Sequence, residues 1–218
     1  MYCILACLFL FSGSAIGLII RDVPCNLENI TAVRDLNLTR MIGEWHQLKR
    51  IQNSDENGAC STLTIDISHV NNSTPEITIM HREIYNKTAY YRNGTIIFNN
   101  STAGVFAMQF SNVKMDTVIV ATDYSKYALF YSCMDTSANK SAVWAWVYSR
   151  STSLQQVETD TGFQAAVNGN SDLKNASWIS IDNSLEACDI SAGVTFRLSP
   201  ILALLAALIV CKDFVVSK

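Results

Sequence analysis

Short segments in which apolar and polar residues alternate recur along most of this chain, and this period of two constrains its fold more than any other feature. Three stripes show it most clearly: Leu63, Ile65 and Ile67; Phe106, Met108 and Phe110; and Trp144, Trp146, Tyr148 and Arg150. Successive side chains of a strand point to opposite faces, so the pattern predicts strands with two different faces. The chain is therefore expected to be mainly β.

Turn signals divide these stripes into hairpins. The β-rich runs 118–124 and 127–133 are separated only by Ser125 and Lys126, which favours a tight hairpin. Between Ile77 and Phe98 the division stays open, because Asn93-Gly94 and Asn86-Lys87 are both good turn sequences.

One helix is expected late in the chain. Ser153 and Gln156 have the spacing of a capping box, and Leu154, Val157, Thr161 and Ala165 recur at helical intervals up to Gly169. A further strand is expected at 178–181. About eight strands, one helix and a closing strand predict an all-β fold: an eight-stranded antiparallel up-and-down barrel with one C-terminal α-helix packed outside. Eight strands leave room for one small ligand.

Both chain ends are apolar. Residues 2–12 are too short to span a bilayer and precede small residues, which predicts a signal peptide over residues 1–17. The lack of Lys or Arg before Arg21 leaves an uncleaved anchor as the alternative. At the other end, the small triplet Ser191, Ala192 and Gly193 precedes an apolar run over 201–211, which is typical of a GPI signal.

These ends predict a domain over residues 18–191, with GPI attachment at Ser191 and removal of residues 192–218. The expected location is the extracellular face of the plasma membrane, held to the outer leaflet through the GPI lipid. Lys212, Asp213 and Lys218 make the tail less apolar, so a weak transmembrane or interfacial tail is the alternative. A secreted protein is the alternative location.

Ten N-x-S/T sequons give an independent sign of the secretory pathway, since glycans are added there and mark surface positions. They stand at Asn29, Asn37, Asn71, Asn72, Asn86, Asn93, Asn99, Asn100, Asn139 and Asn175. The adjacent pairs are not expected to carry two glycans each.

Four cysteines remain once the two ends are set aside: Cys25, Cys60, Cys133 and Cys188. An even number in an oxidising compartment predicts two disulfides, and the spacing alone allows three pairings. The wide spacing also excludes a CxxC zinc motif.

Charge and catalytic groups exclude several functions. The chain has 16 Lys and Arg against 19 Asp and Glu, so no basic patch for nucleic acid is expected. His46, His69 and His81 show no metal-binding spacing, and each is expected at the surface or on a strand face. No metal, cofactor or enzymatic activity is predicted.

Four segments resemble the sequence signatures of the lipocalins. They are Met41–Trp45 with its G-x-W, the ENGAC string at 56–60, the string 121–133, ATDYSKYALFYSC, and Trp146–Arg150. The second and third are similar to the group of apolipoprotein D, bilin-binding protein and Lazarillo. The resemblance covers about residues 22–188 and implies the lipocalin barrel, or calyx.

The resemblance also implies roles for individual residues. It pairs Cys25 with Cys133 and Cys60 with Cys188. It places Trp45 at the closed end of the barrel under the stacked guanidinium of Arg150, a contact worth about 0.5–2 kcal/mol. The remaining signature residues have structural roles: Gly43, Thr122, Asp123 and Tyr124.

If Arg150 lies inside the closed end, the aromatic residues on its face of the strand point inward as well. The expected ligand-binding residues are apolar or aromatic: Leu63, Ile65, Ile67, Phe106, Met108, Phe110, Trp144, Trp146 and Tyr148. No charged ring is expected at the mouth to identify the ligand. For any single residue, filling the barrel base is an equal alternative.

The leading functional hypothesis is binding of a small lipophilic ligand such as a fatty acid, retinoid, sterol or pigment, driven by apolar burial. The rival hypothesis is a cell-surface recognition glycoprotein that contacts a protein partner, as the similarity to Lazarillo allows in neuronal development. An isomerase with a cysteine nucleophile is a distant third, because all four cysteines are expected in disulfides.

Overall fold

Eight antiparallel strands close into a barrel in a computed structural model that describes residues 18–68, 76–98, 104–111 and 113–190. The barrel strands are β2 (Gly43–Ile51), β3 (Ala59–Ser68), β4 (Glu76–Tyr85), β5 (Thr88–Ile97), β6 (Val105–Phe110), β7 (Val113–Thr122), β8 (Ala128–Ser137) and β9 (Lys140–Ser149). Each pairs with the next, and β9 returns to pair with β2. The predicted barrel is confirmed.

Two short strands flank the seam between β9 and β2. Strand β1 (Ile19–Arg21) pairs with the outer part of β9, and β10 (Trp178–Ser180) pairs with the end of β2. The strand expected near Trp178 is therefore present. The turn between Ile77 and Phe98, whose position the sequence did not decide, lies at Asn86-Lys87, where both residues have positive φ. Asn93 and Gly94 lie within β5.

The prediction of one continuous helix is wrong. Three short helices follow the barrel, α2 (Leu154–Glu158), α3 (Thr161–Asn168) and α4 (Ser171–Lys174), in addition to α1 (Leu38–Met41) before it. Ser153 makes no side-chain capping bond. Asp160 is extended and accepts hydrogen bonds from the N–H groups of Gly162 and Phe163, so it ends one helix and starts the next.

Apolar residues pack in two layers separated by the barrel wall. The inner layer includes Trp45, Phe130 and Tyr148, and the outer layer joins the strands to Val157 and Phe163 of the helices. Strand β9 is buried on both faces for this reason. A bulge between Gln47 and Lys49 shifts the facing of the rest of β2, so Ile51 joins Leu48 in the outer layer.

Both disulfides form in the pairing that the resemblance implies. Cys25 bonds Cys133 with a Cα–Cα distance of 5.6 Å, and Cys60 bonds Cys188 at 5.1 Å. They close separations of 108 and 128 residues and tie the segments before and after the barrel to its wall. Loops of this length correspond to about 4–5 kcal/mol each in the chain-entropy description.

Arg150 and Trp45 make the predicted stack at one end of the barrel. The guanidinium carbon lies 3.8 Å from the indole centroid, and the indole Nε1 donates to the Met41 carbonyl at 2.8 Å. Arg150 also donates to the carbonyl oxygens of Glu44, Ile42 and Arg40 at 2.6, 2.7 and 3.0 Å. One cation thus holds the segment by which the chain enters the barrel.

Gly43 is required by this arrangement. Its φ is +100°, which favours glycine, and a Cβ would lie 3.3 Å from Nη1 of Arg150. The turn from β7 to β8 supports the same end. Thr122 donates to the Tyr127 carbonyl, Asp123 accepts three backbone N–H bonds within the turn, and the hydroxyl of Tyr124 accepts from the N–H of Asn37.

Several sequence predictions lie outside the described residues. They are the signal peptide over 1–17, attachment at Ser191 and the tail 192–218, and the sequons at Asn71, Asn72, Asn99 and Asn100. In the part of the chain that is described, no helix has the length and apolar character needed to cross a bilayer.

Replacing Arg150 by Lys should lower the free energy of unfolding by about 2–4 kcal/mol, because it removes the planar stack and most of the charged hydrogen bonds. Urea denaturation followed by circular dichroism measures the change. Arg34→Lys, at an exposed position, should stay within about 0.5 kcal/mol. Equal stability of the two variants would contradict the structural role of Arg150.

Candidate functional site

A cavity of about 760 Å³ lies inside the barrel. Six of the nine predicted ligand-binding residues line it: Leu63, Met108, Phe110, Trp144, Trp146 and Tyr148. The other three, Ile65, Ile67 and Phe106, do not. Ile65 pairs with Gly43 at the start of β2, so these positions fill the barrel near the end that Arg150 closes. These three residues therefore pack in the base of the barrel, which was the stated alternative to lining the cavity.

Aromatic rings connect the packed base to the cavity. Phe106 and Phe130 meet edge to face with centroids 6.2 Å apart, and Phe130 meets Tyr148 in the same way at 5.3 Å. Trp144 and Trp146 continue the same face of β9 toward the open end. Such edge-to-face pairs add about 0.5–1.5 kcal/mol each beyond the apolar area they bury. These contacts pack Phe106, Phe130 and Tyr148 against one another without a ligand.

The other wall of the cavity is polar, which the apolar and aromatic set predicted from the sequence did not include. Asp55, Glu56, His81 and Arg92 all line it. Glu56 is only 7% exposed. A buried carboxylate is costly unless it is well hydrogen-bonded, so this group requires explicit partners.

Glu56 has those partners on both oxygens. The indole Nε1 of Trp146 donates to Oε1 at 2.8 Å, and Nε2 of Gln47 donates to Oε2 at 2.9 Å. Arg50 lies 3.9 Å from Oε2 and donates to the Gln47 amide oxygen. The loop between β2 and β3 turns Glu56 inward, because Asn53 accepts hydrogen bonds from the backbone N–H groups of residues 55 and 56.

His81 lies at the centre of this wall and is 5% exposed, so the surface alternative for this residue is wrong. Nη2 of Arg92 lies 3.2 Å from Nδ1 of His81, and Nε2 of His81 lies 2.9 Å from the hydroxyl of Ser61. A guanidinium can only donate, so Nδ1 is the acceptor and the proton resides on Nε2. His81 is therefore neutral, with Nε2 donating to Ser61.

Burial lowers the pKa of His81 below 6.5, although Glu56, 3.7 Å away, opposes the shift. Arg92 and Arg50 lower the pKa of His81 further, and Glu83 raises it. Burial also raises the pKa of the Tyr148 hydroxyl, and the Glu56 charge adds to the increase. Both groups are thus uncharged at neutral pH.

Alternation could have identified these polar residues. His81 and Glu83 continue the inward face of Ile77 and Ile79 along β4, with the buried residues alternating along that strand. Arg92 likewise shares the face of Ile96 in β5. Glu56 carried no such signal, since it lies in a loop. Within the described ranges, no cluster of His, Cys, Asp and Glu could hold a metal ion.

Acidification should destabilise the protein through His81. The unfolded chain takes up the proton near pH 6.5, and the folded chain does so only at lower pH. Stability should therefore fall below pH 6.5 by up to about 1.4 kcal/mol per pH unit until the folded pKa is reached. Urea unfolding between pH 7.5 and 5.5 measures this slope. His81→Gln should flatten it and His46→Gln should not; the same slope in both variants would contradict the assignment.

Comparison with known proteins agrees with this geometry. Insecticyanin-A of Manduca sexta is 27% identical over 144 residues, which are 61% of this chain and 72% of that protein. The solved structure of insecticyanin from the same species, the tobacco hornworm, matches with a TM-score of 0.64 at 24% identity, over 80% of this chain and 94% of that one.

Lobster apocrustacyanin A1 matches with a TM-score of 0.53 at 23% identity, over 69% of this chain and 81% of that one. The structure of the cockroach allergen Per a 4 matches with a TM-score of 0.57 at 21% identity, over 75% of this chain and 97% of that one. At such identities the solved structures show the fold alone. The model of the lipocalin / cytosolic fatty-acid binding protein family matches residues 42–171. This chain therefore belongs to the lipocalin / cytosolic fatty-acid binding protein family.

Proposed function

We propose that this protein binds a small, mainly apolar molecule inside its barrel and that binding, not catalysis, is its activity. The observation that carries the proposal is the 760 Å³ cavity, with an aromatic and aliphatic wall on one side and a hydrogen-bonded polar wall on the other. Cavities of this size enclose most of the surface of a ligand the size of a retinoid or sterol.

The energetics suit an amphiphilic ligand. Burying about 300 Å² of apolar ligand surface contributes roughly 7–8 kcal/mol, and the entropy lost on association offsets part of this. The polar wall then selects orientation, because a ligand hydroxyl, carbonyl or N–H can form hydrogen bonds with Arg92 or Asp55. Retinoids, sterols, fatty acids and pigments all combine an apolar body with one polar end.

Titration with such ligands should quench the fluorescence of Trp144 and Trp146, which line the cavity. Trp146→Ala should weaken binding about tenfold, since it removes part of the aromatic wall and leaves Oε1 of Glu56 without its donor. Trp178 packs outside the barrel, so Trp178→Ala should leave the affinity unchanged. A folded protein that responds to no retinoid, sterol, fatty acid or pigment would refute the proposal.

We also propose that the chain enters the secretory pathway and is held at the outer face of the plasma membrane by a GPI lipid at Ser191. Two features of the described residues support this compartment. Both disulfides need an oxidising environment. All six described sequon asparagines are exposed, as a glycan requires: Asn29, Asn37, Asn86, Asn93, Asn139 and Asn175.

A second candidate function is recognition at the cell surface. The resemblance of the ENGAC and ATDYSKYALFYSC strings to the apolipoprotein D and Lazarillo group supports this candidate. A heavily glycosylated barrel on a lipid anchor could present its loops to a partner protein on another cell, as a Lazarillo-type molecule in neuronal development. Cavity variants such as Trp146→Ala separate the two functions, because recognition should survive them.

Phosphatidylinositol-specific phospholipase C should release the protein from intact cells, since the enzyme cuts the lipid and not the polypeptide. Flow cytometry with an antibody to the barrel measures the loss of surface signal. A variant in which residues 191–218 are replaced by a known transmembrane helix should stay on the cells after the same treatment. Retention of the wild-type protein would exclude the lipid anchor.

A further inference from the structure

More than half of strand β5 has a free edge with respect to the described residues. Strand β5 pairs with β4 from Thr88 opposite Tyr85 onward, but it pairs with β6 only over residues 94–97. Residues 88–93 therefore extend beyond the end of β6, and among the described residues they pair on one side only. At about 3.3 Å per residue, this edge is roughly 20 Å long.

Free edges of this kind are templates for pairing with another chain, and folded proteins usually protect them. The segment 88–93 contains no proline, and its pairing with β4 is continuous without a bulge. Its one charged residue, Arg92, faces inward to His81. An inward-facing charge is one of the usual protections, but proline, a bulge and a charged residue on the outer face are absent from residues 88–93.

Exposed tyrosines lie on both faces of the sheet beside the edge, and one of them, Tyr91, also lines the mouth of the cavity. Tyr85, Tyr90 and Tyr91 are 46%, 50% and 55% exposed. Tyrosines suit β-pairing and are enriched at protein interfaces, so they increase the tendency of this edge to associate. An exposed edge with three tyrosines needs a cover if the chain is to remain soluble in an extracellular fluid.

Sequons stand at both ends of the edge. Asn86 lies in the turn from β4 to β5 with φ of 51°, and Asn93 lies where β5 first meets β6. Both asparagines are exposed, and Thr88 and Thr95 complete the two sequons. We propose that N-linked glycans on Asn86 and Asn93 cover the free edge of β5 and prevent its pairing with a second copy of this chain.

The steric argument is direct. Pairing requires the two backbones to approach within about 4.8 Å, and a hydrated, branched sugar at either end of a six-residue edge obstructs that approach. In an antiparallel pair of two copies, the Asn93 end of one edge lies beside the Thr88 end of the other. The two paired edges would then have glycans at both ends, so the sugars of both copies obstruct the pairing.

The test uses the full chain expressed in insect cells, and it rests on the secretory route proposed above. Asn86→Gln/Asn93→Gln removes the two covering sequons, and Asn139→Gln/Asn175→Gln removes two exposed sequons elsewhere. Peptide mass mapping measures occupancy, and sedimentation velocity measures self-association. Thr88→Ala/Thr95→Ala removes the same two glycans while keeping both asparagines, which separates the loss of sugar from a change at the asparagine itself.

Asn86 and Asn93 should be occupied in the wild type, and the two edge variants should associate at a concentration at least tenfold lower than the wild type and the control. Hydrogen exchange of residues 88–93 should slow on association. The proposal is overturned if these two sites are bare while other sequons carry sugar, or if the edge variants stay as monomeric as the control. Absence of sugar from every sequon would instead overturn the secretory route as well.

Discussion

The contact between Arg150 and Trp45 is the interaction on which the rest of the structure depends. One side chain stacks on the indole and donates to three backbone carbonyl oxygens, so it joins the end of β9 to the segment that leads into β2. These two strands form the closing seam of the barrel. Without closure, β2 and β9 would have free edges and the inner apolar layer would be open to water. The cavity exists because this seam is fixed.

Closure also makes the polar wall of the cavity possible. Glu56 and Arg50 are almost fully buried, and isolated charges would be costly there. They are tolerated because Gln47 on β2 and Trp146 on β9 provide fixed hydrogen-bond donors to Glu56. The same wall that gives a ligand something to orient against therefore requires the surrounding barrel to hold each group in place. Binding and stability depend on one network.

Much of the fold could be predicted from local pattern. Alternation located β3, β6 and β9, and cysteine number predicted two disulfides, because both properties are read along the chain. The late helix was placed correctly but as one continuous element. Its breaks depend on Asp160 and Asn170, each of which accepts backbone N–H bonds at the start of a helix. Phe163 of α3 also packs against Tyr127, a tertiary contact that the helical pattern does not show.

The sequence by itself determined which residues of the strands are apolar, where the closing stack lies and that the chain resembles the lipocalins. Only the tertiary structure decided how deep each inward residue lies. Ile65, Ile67 and Phe106 fill the base while Trp144 and Trp146 line the cavity, because depth depends on the stagger between strands, which period two does not encode. It also decided that Glu56, distant in sequence from Trp146, meets it inside the barrel. A loop residue has no periodic signal, so its place follows only from the closed fold.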